Sequence, residues 1–133
     1  MTRPTVRTRR QTLAQVLVCV GCCCGRTDKG KPDVPVDWLK AEWKRRALQK
    51  HVHLSISGCL GPCEIANILC VVTPSETRWF GDIEGRHYYE AVLEWATACA
   101  DARALRPIPA LLGAQRFERY VTSPSETMSG AIV

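Results

Sequence analysis

Apolar and polar side chains alternate strictly through residues 51–57, which read HVHLSIS. Val52, Leu54 and Ile56 share one face, while the histidines and serines share the other. A period of two with one apolar face is typical of a half-buried β-strand, so this segment is the clearest strand in the sequence. Residues 35–47 precede it with apolar side chains at helical spacing, which predicts an amphipathic helix of about four turns leading into the strand.

The remaining elements follow outward from this strand. They are a first strand at 14–20, a central strand at 68–73, a hairpin turn at 74–76 into a strand at 78–81, and a long helix at 86–102. A β-α-β unit followed by a β-hairpin and a C-terminal helix is the arrangement of a minimal thioredoxin-like α/β sheet. We expect one domain at 14–105, a basic tail at 1–13 and a C-terminal extension at 106–133. In that extension the sequence predicts a short helix at 110–120 and disorder from residue 122 onward.

The net charge of +5 is unevenly placed, because residues 1–50 carry a large excess of Lys and Arg. These residues form no nucleic-acid recognition motif, so we expect a solvated surface, with attraction of an acidic protein partner as the weaker alternative. Arg9 and Arg10 precede an apolar run as in an export signal, but the run is short and is broken by Gln15. No apolar run reaches the roughly 18 residues that span a bilayer. A cytoplasmic protein without membrane contact is expected.

Eight cysteines are the strongest chemical signal in the chain. Cytoplasmic thiols stay reduced, so cysteines in this number indicate metal, cluster or redox chemistry rather than disulfides. Cys70 and Cys99 fall on apolar stripes and are expected in the core. The others follow the first and second strands, whose carboxyl ends meet at one edge of a parallel pair. They are Cys19, Cys22, Cys23, Cys24, Cys59 and Cys63.

Three chemistries compete for a site at this edge. A [2Fe–2S] cluster takes four thiolates, and a structural zinc takes four tetrahedral ligands. A thiol–disulfide site takes a C-x-x-C pair, which Cys19 and Cys22 formally supply. The plant-type ferredoxin spacing fails, because Thr27 stands where its third cysteine should be. The spacing that fits is C-x₄-C, then 34 residues, then C-x₃-C, formed by Cys19, Cys24, Cys59 and Cys63.

The second cysteine pair also carries a family resemblance. The segment 58–64, GCLGPCE, is followed by an apolar strand, then by Trp79-Phe80-Gly81 and a Tyr- and Trp-bearing helix. This pattern resembles the thioredoxin-like [2Fe–2S] ferredoxin family, which includes the 24 kDa-type subunit of NADH dehydrogenase and small stand-alone ferredoxins. The resemblance runs from about residue 16 to residue 99.

The resemblance implies a one-electron carrier that is not an enzyme. It implies one [2Fe–2S] cluster, redox partner proteins and, as in many members, a homodimer. The implied ligands are Cys19, Cys24, Cys59 and Cys63. The cysteine triplet departs from the family pattern, so Cys23 is an alternative to Cys24, and Cys22 also stays open.

Alternatives to the electron carrier come from other classes of protein. They are a zinc-stapled interaction domain, an iron–sulfur or metal delivery protein that uses the extra thiols, and a thiol–disulfide enzyme. His51 and His53 lie on the polar face of a strand whose far end carries the cysteines, so we expect surface residues rather than ligands. Basic residues near the first loop would favour a reduced cluster, or are simply solvated. These are Arg26, Lys29 and Lys31.

Overall fold

The computed structural model describes residues 7–21 and 23–121. Within them, a five-stranded mixed sheet has the strand order β2-β1-β3-β4-β5. The strands are β1 Ala14–Cys19, β2 Val52–Ser57, β3 Leu69–Val72, β4 Thr77–Phe80 and β5 Arg116–Phe117. The helices are α1 Val36–Arg45, α2 Arg86–Ala102 and α3 Ala110–Gly113, with single 3-10 turns at Thr27–Lys29 and Cys63–Ile65. The predicted α/β class is confirmed, and the order of elements up to α2 is the predicted one.

Strand β1 lies between β2 and β3 and defines the edge at which the cysteines gather. It pairs in parallel with β2, with Cys19 opposite Ser57. It pairs antiparallel with β3, with Val18 opposite Leu69. The carboxyl ends of β1 and β2 therefore meet where β3 begins, and we call this side the cysteine edge.

One face of the sheet is covered by α1 and α2. Trp43 of α1 is buried, and its indole N–H donates to the carbonyl oxygen of Val52 at 2.8 Å. On the same face, α2 buries Tyr89. The sequence placed Tyr88 on this stripe, and the structure leaves it half-buried. The buried stripe of α2 otherwise runs as expected and includes Cys99. Apolar burial against the sheet thus holds both helices in place.

Helix α1 is shorter than predicted and ends at Arg45. Ala47, placed on the helical stripe by its spacing, instead takes a positive φ of 53°. This turn brings Leu48 into the core, where its side chain is 1% exposed and its N–H donates to Trp43 O at 3.1 Å. The predicted last helical turn therefore does not form, because the chain turns at Ala47 and buries Leu48.

The C-terminal segment differs from the predicted helix at 110–120. Only the four residues of α3 are helical, and the chain then runs along β4 as β5. Leu112 is buried on the main core, and the Gln115 amide donates to the carbonyl oxygens of Gly81 and Asp82 at 3.0 and 3.1 Å. Residues 116–117 therefore pair with the open edge of β4, and the predicted helix does not continue beyond α3. The disorder predicted for 122–133 concerns residues outside the described part of the chain.

None of the helices in the described ranges is long and apolar enough to cross a membrane.

Candidate metal centre

Four thiols predicted as ligands meet at the cysteine edge in two pairs. Cys59 Sγ and Cys63 Sγ lie 3.6 Å apart on the loop after β2. The thiols of Cys19 and Cys24, on the loop after β1, are hydrogen-bonded to each other. Cys23, the alternative ligand, contacts the Cys63 thiol and so joins the two loops. The structure thus brings together the five cysteines of the two loops that it describes, and Cys22 lies outside the described residues.

The two pairs differ in exposure. Cys19 and Cys24 are each 3% exposed, whereas Cys59 is exposed and Cys63 is half-buried. Apolar side chains surround the inner pair, with Ala66 and Ile68 buried against it. Leu60, Ile65, Trp79 and Phe117 complete this shell. The site therefore has a dry inner side and a solvent-facing outer side.

The first loop is closed by its own backbone and tied to its neighbours. Gly21 N–H donates to Cys24 O at 3.1 Å, and Val20 N–H donates to Ser57 O at 3.0 Å. Gly25 has φ 74°, in the left-handed region that glycine adopts without strain. Ile68 N–H donates to Cys24 Sγ at 3.3 Å. Because backbone N–H donors stabilise thiolate charge, Cys24 is held in a place suited to a ligand.

A buried asparagine braces this loop from behind. Asn67 is fully buried, and its Oδ1 accepts from Gly25 N–H at 2.7 Å. Its Nδ2 donates to Pro32 O at 2.8 Å and to Ile83 O at 3.3 Å. One side chain therefore joins the cysteine loop, the segment that precedes α1 and the chain that enters α2. Asn67 was not among the predicted site residues, although a polar amide directly before the apolar run 68–73 was an available signal.

In the second loop, Gly61 lies directly against the side chain of Arg119. Gly61 has φ 119°, and a Cβ built there would lie 2.6 Å from Arg119 Nη2. The Arg119 guanidinium also lies 5.5 Å from the Trp79 ring centroid and 5.7 Å from that of Tyr120. Glycine is required here for both its conformation and the close approach of Arg119. Sequence reasoning missed Arg119, because it lies in the segment assigned to a C-terminal extension.

Two of the site thiols, Cys24 and Cys63, have pKa values raised well above the ordinary value of a cysteine. Burial, reinforced by the hydrogen bond with Cys19, raises the pKa of Cys24 to about 12. The hydrogen bond with Cys59, together with burial, raises the pKa of Cys63 to about 12. A metal must displace these protons, because thiolates are the ligating form.

The arrangement in pairs bears on which metal group fits. In residues 7–21 and 23–121, no three or more His, Cys, Asp or Glu side chains are grouped so as to hold a single metal ion. A structural zinc needs four ligands around one ion, whereas a [2Fe–2S] cluster needs two thiolates at each of two irons. Two neighbouring thiol pairs on separate loops supply the four thiolates that either group requires.

The other sequence candidates lie away from the thiols or are already engaged. His51 precedes β2 at the opposite end of the strand, and His53 is exposed with its Nδ1 3.2 Å from Ser55 Oγ. Arg26 is hydrogen-bonded to Asp28 at 2.6 and 2.8 Å, and this contact lowers the pKa of Asp28 to about 2. The Arg26 charge is therefore largely balanced by its neighbour.

Comparison with known proteins found no matching family model and no matching curated sequence.

Proposed function

We propose that this protein is a one-electron carrier that binds a single [2Fe–2S] cluster through Cys19, Cys24, Cys59 and Cys63. One observation carries the proposal, namely two thiol pairs on the loops that end two adjacent parallel strands. Four thiolates shared between two irons are the ligand set of such a cluster.

We also propose a thioredoxin-like fold of the [2Fe–2S] ferredoxin type. The support is the β-α-β unit, the following hairpin and the helix α2, with both predicted ligand loops at one sheet edge. The short α3 and β5 extend this arrangement at the β4 side of the sheet.

Different residues of the chain have different roles at the site. A bound cluster would supply reversible one-electron chemistry at the two irons. Ile68 N–H donates to the Cys24 sulfur, and the apolar shell around Cys19 excludes water from the inner side. The exposed Cys59 marks the outer side, where a redox partner protein can approach most closely. Electron exchange is therefore expected through the loop that carries Cys59 and Cys63.

A second candidate function is delivery of iron–sulfur or metal cargo. The observation that favours it is Cys23, a fifth thiol in contact with Cys63 and so placed to exchange with a ligand. An electron carrier keeps its cluster in the presence of an apo-acceptor, whereas a delivery protein transfers it.

The deciding experiment is metal and sulfide analysis of protein purified without air. We expect iron and acid-labile sulfide in equal amounts, with visible charge-transfer bands that bleach on reduction. Transfer of the iron to an apo-ferredoxin of another type should be negligible. A colourless protein with stoichiometric zinc would refute the proposal, and rapid transfer would favour delivery.

A further inference from the structure

We propose that Arg119 places a fixed positive charge over the Cys59–Cys63 loop and thereby raises the reduction potential of the cluster. The inference rests on the proposed function and deepens it. It concerns a residue that lies 56 positions beyond the last predicted ligand in the sequence.

The first support is the close approach of Arg119 to the ligand loop. Arg119 Nη2 occupies the space above Gly61, within 2.6 Å of the position that a Cβ would take. Gly61 stands midway between Cys59 and Cys63 and has no side chain to keep the guanidinium away. The charge therefore lies at the middle of the loop that carries the outer, more exposed thiol pair.

The second support is how firmly the guanidinium is held. It lies near the rings of Trp79 and Tyr120, at 5.5 and 5.7 Å from their centroids, within the range of cation–π attraction. Trp79 itself belongs to the apolar shell of the cysteine site. A stacked arginine keeps its charge in one place, unlike a lysine on a flexible stem.

The third support is that the Arg119 guanidinium has no anionic partner among the described residues. Arg119 Nε is buried and has no hydrogen-bond partner among the described residues. In the same part of the chain, Arg119 forms no ion pair with a carboxylate, whereas Arg78 and Arg116 both contact Glu76. A half-buried cation without an anion is unfavourable. Four thiolates at the loaded site would supply the missing negative charge.

The effect on the potential follows from charge balance. Uptake of one electron from a one-electron donor, such as dithionite or a donor protein, adds one negative charge at the site. No proton moves and no ligand bond is exchanged in this step. A nearby fixed positive charge stabilises the more negative form more strongly, so Arg119 favours reduction.

The test is a redox titration of Arg119→Gln in the cluster-loaded full chain, followed by visible absorption. At a fixed ambient potential, we expect the ratio of oxidised to reduced protein to rise about tenfold, which is about 59 mV for a one-electron couple. Arg119→Lys should retain most of the wild-type potential. Arg116→Gln is the matched control, because it removes an arginine three residues away that contacts Glu76 at 3.8 Å.

The outcomes separate this inference from the proposed function. Equal potentials for Arg119→Gln and Arg116→Gln, with cluster content unchanged, would overturn the inference and leave the function standing. Wild-type protein without a cluster would refute the function itself. If Arg119→Gln fails to load, Arg119→Met, which retains the apolar stem, is titrated instead. Loss of the cluster in both variants would also overturn the inference, because Arg119 would then be needed for assembly rather than for the potential.

Discussion

At the scale of single residues, the five described cysteines at the cysteine edge are not equivalent. Cys59 and Cys63 come from a loop with no spare thiol, and Cys19 ends β1. Cys24 is buried and receives the Ile68 N–H, whereas Cys23 is half-buried and contacts Cys63. The structure therefore places Cys24 on the inner pair and leaves Cys23 as a thiol within reach of the outer pair.

Serine substitution of these cysteines gives the first prediction. Cys59→Ser, Cys63→Ser and Cys19→Ser should each strip or badly destabilise the cluster, because the loop after β2 has no third thiol and Cys19 is the cysteine that ends β1. Cys24→Ser should also cost the cluster, with Cys23 partly taking its place and shifting the absorption and electron paramagnetic resonance spectra. Iron, sulfide and spectra of the purified variants are the measurements.

The controls for this series are cysteines outside the proposed ligand set. Cys70→Ala should keep the cluster and lose about 1 kcal/mol of packing. Cys22→Ser, at a position outside the described residues, should be nearly silent. Full iron and sulfide in both Cys59→Ser and Cys63→Ser would contradict the ligand assignment, and a silent Cys24→Ser would move the second ligand to Cys22 or Cys23.

Asn67 is the second residue whose role depends on its contacts. Asn67→Ala should lower the free energy of unfolding by about 3 kcal/mol, because it leaves Gly25 N–H and the carbonyl oxygens of Pro32 and Ile83 without their partner. Urea denaturation of the metal-free protein measures this loss. The cluster should also be lost faster from the variant, since the brace behind the Cys24 loop is gone.

The matched control for Asn67 is another amide in the sheet. Gln15 is half-buried and donates one hydrogen bond to Ser55 Oγ at 3.0 Å, so Gln15→Ala should cost less than about 1 kcal/mol. Similar losses for the two variants would show that Asn67 is not a brace.

At the scale of elements, β2 is an edge strand whose outward backbone groups are largely covered. Trp43 Nε1 donates to Val52 O at 2.8 Å. The Gln49 amide accepts from Leu54 N–H at 2.6 Å and donates to Leu54 O at 3.2 Å, as a neighbouring strand would. Open strand edges invite pairing with another chain, so these side chains protect the sheet. The homodimer implied by the family resemblance remains a prediction, and this geometry favours a surface other than the β2 edge for it.

Removal of the Gln49 amide tests this protection. Gln49→Ala should lower the free energy of unfolding by about 1 kcal/mol and increase self-association, because the Leu54 groups become available for intermolecular pairing. Denaturation and sedimentation velocity measure the two effects. Lys50→Ala, at the exposed neighbouring position, should change neither. A Gln49→Ala protein that behaves like the wild type in both measurements would contradict the assigned role.

At the scale of the whole molecule, the residues after α2 complete both the sheet and the cysteine site. Trp95 Nε1 donates to Arg106 O at 2.7 Å, and Leu112 is 1% exposed. Phe117 joins the apolar shell, and Arg119 covers Gly61. The segment after α2 therefore contacts both the hydrophobic core and the cysteine site.

Truncation measures how much this segment contributes. A chain that ends at residue 105 should unfold with a free energy lower by at least about 3 kcal/mol, because it exposes the Leu112 site and leaves β4 as an open edge. A chain that ends at residue 121 keeps every described residue after α2 and should differ by less than about 0.5 kcal/mol. Equal stability of the two truncated proteins would show that 106–121 is dispensable for folding.

Local patterns in the sequence determined the order of the elements and the pairing of the cysteine loops. The alternation at 51–57 and the apolar stripe at 86–102 predict their own elements, since period two and period 3.6 each place one face against a core. The common edge for the two cysteine loops then follows from the parallel connection of β1 and β2. Spacing along the chain therefore sufficed to name the candidate thiols.

Only the tertiary structure decided the features that depend on contacts between distant segments. Ala47 leaves the helix because Leu48 fills the core, and 116–117 become a strand because β4 has a free edge. Asn67 contacts Gly25 and Arg119 approaches Gly61, each far away in the chain, so no periodicity or spacing marks these contacts. A strand edge, a buried amide and a stacked guanidinium acquire their roles from neighbours that folding brings together, which is why they were found in the structure and not in the sequence.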